Sequence, residues 1–204
     1  MRLIGMLDSP YVRRVAISLH LMGLRCHSEQ VSVFRHFEAF AKINPVVKAP
    51  TLVTDDGLVL MDSTLILDYA ERLVEPAFSL MPADVKDYGR TQRLIGLALA
   101  ACEKSVQLVY ERTLRPAEKQ HQPWIDRVRG QMLAAYGALN AELGTGESWL
   151  FGARPLQADV TAAVVWRFAT DMLADEITPT DYAALSRHAA RAEALDAFRA
   201  YPPG

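Results

Sequence analysis

A chain of 204 residues, half of them hydrophobic yet with mean hydropathy near zero, is long enough for one large or two small packed domains. No apolar run approaches the roughly 18 to 20 residues of a membrane-spanning helix, which argues against a membrane partner. The 22 basic and 24 acidic residues are interspersed, so the clustered positive charge of a nucleic-acid binder is missing. The two cysteines, Cys26 and Cys102, make no disulfide framework, no metal-ligand spacing and no CxxC redox pair, and both read as small buried hydrophobes. The opening MRLIGMLDSP has no small-residue cleavage site, so the expected location is the cytoplasm.

In chain order, residues 2–6 are a short apolar run suited to a buried strand, followed by a turn at Ser9-Pro10. Val12, Val15, Ala16, Leu19 and Met22 then recur at helical spacing, with Arg13, Arg14 and His20 off that stripe. Pro10 suits the first turn of this helix, where its missing N–H costs nothing, and Gly23 ends it. Val31 and Val33 alternate within a second strand at 26–33, and residues 34–43 read as a short helix or a loop. The runs TLVT and LVLM, separated by Asp55-Asp56-Gly57, predict a hairpin. Asp62-Ser63 opens a helix whose Leu65, Ile66, Tyr69, Ala70 and Leu73 follow the 3.6-residue period. The order is β-α-β-(α)-β-β-α.

Prolines in residues 75–82 break the pattern, and everything beyond is helical. Long periodic segments cover residues 87–112 and 123–143, the second ended by Gly144-Thr145-Gly146. After WLFGARP comes a helix at about 157–171, and residues 178–199 supply one or two more. An α/β domain is therefore expected at residues 1–75, a linker at 76–85 and an all-helical domain at 86–204.

Four stretches, SPYVRRV (9–15), NPVVKAPTLV (44–53), MDSTLILDY (61–69) and WLFGARPLQADVTAA (149–163), are similar in kind and order to the cytosolic glutathione S-transferase superfamily. The fold implied is α/β plus all-α, a thioredoxin-like domain followed by a helical one. The resemblance implies a cis Ala49-Pro50 bond, with the Ala49 backbone turned outward as an edge on which a short peptide pairs by β-augmentation. Asp62 and Ser63 suit a helix N-terminus on chemistry alone. By resemblance, Ser63 also binds the γ-glutamyl carboxylate of glutathione and Asp62 faces its ammonium. Lys48 is either a solvated surface lysine or a donor to the carboxylates of the tripeptide, and His36 or Arg35 is the candidate for the glycyl end.

The place of the thioredoxin-like cysteine is taken by Ser9, with Pro10 following as it does after the cysteine of glutaredoxin-like and omega-type relatives. A serine forms no mixed disulfide, which leaves two uses: capping the first helix, or donating a hydrogen bond to the glutathione thiolate. Tyr11 is a second hydroxyl for that task or a wall of the apolar substrate site, a role also expected of Tyr110, Leu114 and Trp166. In 149–163, Asp159 matches an acidic helix-opening position, while Leu156 stands where the family carries a hydroxyl cap, so half a capping box is missing. The activity implied is a glutathione transferase acting on a largely apolar electrophile. By the same resemblance glutathione is the expected co-substrate, no metal or bound organic cofactor is implied, and the expected state is a homodimer. The alternatives are a non-catalytic interaction module of the stringent-starvation-protein kind and a glutathione-dependent peroxidase, isomerase or dehalogenase.

Overall fold

Strand β1 (Arg2–Ile4) takes the first apolar run and buries Leu3 and Ile4. In the computed structural model, which describes residues 1–144, 146 and 148–204, the chain forms two units: Met1–Met81 with Ala194–Gly204, and Pro82–Glu193. In the first unit, helix α1 (Pro10–Leu21) follows β1, then strand β2 (His27–Glu29), the short helix α2 (Phe37–Ala41), strands β3 (Thr51–Val53) and β4 (Val59–Met61), and helix α3 (Ser63–Glu71). The sheet order is β2-β1-β3-β4, with β1 parallel to β2 and antiparallel to β3. This is the expected thioredoxin-like arrangement. Its core gathers Leu3, Val12, Val15, Leu19, Leu52, Ile66 and Leu80.

Two local expectations are corrected. The alternation of Val31 and Val33 predicts a strand reaching Val33, but β2 stops at Glu29 because the Val31 N–H turns back onto the Glu29 carbonyl at 2.9 Å. Cys26 is half-buried rather than buried, whereas Cys102 is fully inside. The end of α1 is as read: Gly23 adopts φ +72 and Leu24 N–H closes back on the Leu19 carbonyl at 2.9 Å.

The end of the chain departs from the expected single helical domain at 86–204. Helix α4 (Val85–Thr113), α5 (Gln122–Leu143), α6 (Gln157–Met172) and α7 (Ala183–Glu193) form the second unit, but α8 (Asp196–Arg199) and the residues after it belong to the first. The reason lies in α1. Phe198 is fully buried with the Arg13 guanidinium 5.6 Å from its ring centre, and Arg13 Nε donates to the Tyr201 carbonyl at 2.8 Å. Gly144 ends α5 at φ +61, while Thr145, expected in the same break, lies outside the described residues.

Inside the helical unit, the fully buried Tyr136 hydroxyl donates to the Val165 carbonyl and sits 3.1 Å from Ser105 Oγ, joining α4, α5 and α6. The missing hydroxyl cap of α6 is offset by Asp159, whose carboxylate accepts from Leu156 N–H at 2.9 Å and Leu150 N–H at 3.1 Å. His188 of α7 is buried against the same aspartate, its Nε2 3.2 Å from the Asp159 carbonyl oxygen. Because Arg191 approaches His188 Nδ1 at 3.2 Å as a donor, the ring is neutral with its hydrogen on Nε2.

Burial holds His188 below the ordinary imidazole value of 6.5, the Asp159 charge only partly opposing, and Arg191 adds to the depression. Below that value the unfolded chain binds a proton that the folded chain refuses, so this residue's contribution to stability is lost as pH falls. Melting wild type and His188→Gln from about pH 7 to about pH 5.5 should show the wild type losing stability faster, by up to about 1.4 kcal/mol per pH unit. Parallel curves would contradict the neutral buried histidine. The variant comparison also removes the opposite contribution of Asp159, which burial pushes above the ordinary carboxylate range.

Candidate functional site

Strand register brings four segments to one end of the small sheet. Ile4 pairs with Glu29 and with Thr51, and Thr51 pairs with Met61. Strands β1, β2 and β4 end at these residues and β3 begins there, so segments 5–9, 30–36, 48–50 and 62–63 all leave the sheet at the same end. Gly5, at φ +146, allows the closest approach: a Cβ there would meet Val12 Cγ2 at 2.6 Å and Ala49 Cβ at 3.1 Å. The turn leading to Ser9 thus runs directly against the Ala49 loop.

Ser9 occupies the N-cap position of α1, but its side chain makes no capping hydrogen bond, and the first turn of the helix has no acidic residue. Of its two possible uses, the cap is the one the geometry lacks. A half-buried hydroxyl therefore stands at the positive end of a twelve-residue helix dipole. Tyr11 lies two positions further on, also half-buried.

Asp62 does cap α3. Its Oδ1 accepts from Thr64 N–H at 2.9 Å and Leu65 N–H at 3.4 Å, which leaves Oδ2 outside the cap. Ser63 is buried and accepts a hydrogen bond from Arg14 Nη1 at 3.0 Å, while the same nitrogen reaches Thr64 Oγ1 at 3.2 Å. With a lone pair engaged by the guanidinium, the Ser63 hydroxyl keeps its hydrogen to donate outward. Arg14 is the site residue that sequence reasoning missed. Its place off the apolar stripe points to solvent, yet it is 1% exposed. The available signal was Ile17, an apolar residue also off the stripe, which marks α1 as buried on most sides.

The Ala49-Pro50 bond is cis, as the family resemblance implies. Neither Ala49 N–H nor its carbonyl pairs within the sheet, since β3 begins two residues later. Lys48 is exposed, and its Nζ makes no ion pair among the described residues. His36 is exposed at the start of α2, with Nδ1 accepting from Ser32 N–H at 3.2 Å, so its hydrogen sits on Nε2. Arg35 is exposed beside it.

The helical unit separates the remaining candidates. Tyr110 and Leu114 line a cavity of about 480 Å³ together with Trp124, which the sequence did not single out. Trp166 does not reach it. Only 3% exposed, its ring packs 5.4 Å from Tyr136 and 5.2 Å from Tyr182, a core position rather than a substrate wall.

Residues 3–77 match the family Glutathione S-transferase, N-terminal domain, and residues 122–201 match Glutathione S-transferase, C-terminal domain. A maleylacetoacetate isomerase of Pseudomonas aeruginosa is 33% identical over 156 residues, covering 72% of this chain and 71% of that protein. Among solved structures, a glutathione S-transferase of Methylobacterium radiotolerans in complex with glutathione sulfonate superposes with a TM-score of 0.91 at 26% identity, over 99% of this chain and 94% of that one. A glutathione transferase family member of Pseudomonas fluorescens with bound glutathione gives 0.83 at 27% identity, over 100% and 98%.

Two non-glycine residues at this site adopt positive φ, Asp62 at +72 and Val47 at +51. For Val47, a β-branched residue directly before Lys48, this conformation costs roughly 1 to 2 kcal/mol. Glycine removes that cost while losing about 0.5 to 1 kcal/mol to chain entropy. Val47→Gly is therefore expected to raise the melting temperature by about 1 to 3 °C. A lower melting temperature would place the Val47 side chain's packing above its backbone strain.

Proposed function

Because this chain belongs to the glutathione S-transferase family, we propose that it binds glutathione at the open end of the sheet and holds its sulfur as a thiolate on Ser9. The observation that carries this reading is the Ser9 hydroxyl at the mouth of α1, uncommitted to its helix. The other groups match the tripeptide in turn. Ala49 offers an unpaired backbone edge for the cysteinyl residue, and Ser63 offers a donor to the γ-glutamyl carboxylate. Asp62 Oδ2 is left for the ammonium, while Lys48 and His36 Nε2–H suit the glycyl carboxylate.

The energetics are sufficient without a general base. A free thiol titrates near about 8.5, so only about 3% is thiolate near neutral pH. Lowering that value by about two units needs roughly 2.7 kcal/mol. A hydrogen bond to a charged acceptor supplies about 1.5 to 3 kcal/mol and the helix terminus about 0.3 to 1. The thiol gives its proton to water, the sulfur lone pair forms a C–S bond with the electrophilic carbon, and the leaving group departs with its bonding pair. Tyr110 and Leu114, which line one cavity of the helical unit, are the proposed contacts for that second substrate.

The relative named maleylacetoacetate isomerase supports a second reading, in which the same thiolate adds to an unsaturated acid and is later expelled. Thiolate formation is common to both. The exposed Val59 and Met61 on edge strand β4, with Leu65 on α3, suit the proposed homodimer, since an apolar edge strand left bare invites association. The described residues contain no helix long and apolar enough to cross a membrane, in keeping with the proposed cytoplasmic setting.

Titrating the ultraviolet thiolate absorbance of bound glutathione tests the assignment. In the wild type the bound thiol should titrate about two units below its free value, and Ser9→Ala should return it most of the way while binding persists. An unshifted thiol in the wild type, or a shift that survives in Ser9→Ala, overturns the role of Ser9.

A further inference from the structure

The cavity between the end of α4 and the start of α5 has an asymmetric chemistry. Its apolar part is unusually exposed for such large side chains: Tyr110 is 45%, Leu114 58% and Trp124 43% accessible. Tyr110 and Leu114 stand four residues apart on one helix face, and Trp124 opposes them from the first turn of α5. At about 480 Å³ the space falls within the range that holds small organic ligands. Two aromatic rings and a leucine make it a slot for a flat, apolar body.

The sign of its charge follows from three residues. Glu111 is ionised and committed: Arg115 Nε donates to it at 2.8 Å, His121 N–H at 3.3 Å, and the guanidinium holds its carboxyl below the usual range. That pair is neutral as a unit. Lys119, on the same cavity wall, makes no ion pair among the described residues, so the lining carries one cation in excess. The backbone does not alter this balance. The carbonyl end of α4 and the amide end of α5 both border the cavity, and their opposite partial charges offset each other.

The geometry points to an aromatic or unsaturated carboxylic acid as the occupant, its apolar body between Tyr110 and Trp124 and its carboxylate toward Lys119. Resting on the glutathione-transferase reading, this narrows the second substrate from an apolar electrophile to an amphiphilic anion that carries its electrophilic carbon on the apolar part. A neutral apolar compound of the same shape gains the ring contacts but leaves Lys119 to water.

Trp124 provides the readout. Nitroaromatic rings quench tryptophan fluorescence on contact, so the intact chain is titrated with meta-nitrobenzoate and with its neutral isostere meta-nitrobenzamide. The benzoate should bind about fivefold more tightly, the size of one partly solvated charge pair. Lys119→Gln should equalise the two, and Trp124→Phe should remove most of the quenching while Trp149 and Trp166 remain. Equal affinities in the wild type, discrimination that persists in Lys119→Gln, or no saturable quenching by the benzoate would each overturn the assignment. Glutathione binding, measured separately by calorimetry, distinguishes the two readings. Benzoate selectivity without glutathione binding leaves the acid pocket standing and removes the transferase, whereas glutathione binding without selectivity does the reverse.

Discussion

The pairing of Ile4 with Glu29 on one side and Thr51 on the other decides which parts of this chain meet. Each strand is three residues long, so each crossing has little redundancy. Shifting one strand by a single residue would turn Leu3 or Leu52 out of the core. With the register in place, Ser9, His36, Ala49 and Ser63 arrive at one end of the sheet although they lie far apart in sequence. The site is in this sense a by-product of burying Leu3, Ile4 and Leu52.

Helix α1 then ties that end together through two buried arginines. Arg14 reaches Ser63 and Thr64 at the start of α3, and Arg13 reaches the Tyr201 carbonyl and the Phe198 ring. Burying a guanidinium is costly unless its donors are used, so these contacts fix orientation as much as they add stability. For Arg14 the consequence is chemical: by engaging a lone pair of Ser63 it dictates which way the serine hydrogen can be given. An arginine beneath this hydroxyl also supplies positive charge where the proposed γ-glutamyl carboxylate would sit.

The order of elements in the first unit was legible because short strands, turn residues and helical periods are local properties. Ser9-Pro10, Asp55-Asp56-Gly57 and Asp62-Ser63 each announce a boundary through their own backbone chemistry. The burial of Arg13 and Arg14 was not legible, since it depends on what packs against α1 from distant parts of the chain, Phe198 and Tyr201 among them. The same holds for the return of residues 194–204 to the first unit. Trp166 and Tyr110 show the limit in the helical unit. Both are aromatic residues at helical spacing, and only the packing of Tyr136 and Tyr182 places one in the core while the other stays half exposed in a cavity. Lys119 carries no pattern at all, and its place as the excess cation of the cavity lining appears only when Arg115 is seen committed to Glu111.

The central claim, that the open end of the sheet is a glutathione site, is tested most directly by a crystal structure of the chain grown with saturating glutathione. The account predicts the cysteinyl backbone paired with Ala49, the γ-glutamyl carboxylate on Ser63 Oγ, and the sulfur within hydrogen-bonding distance of Ser9 Oγ. Glutathione bound elsewhere, or absent from this end of the sheet at saturation, would contradict it.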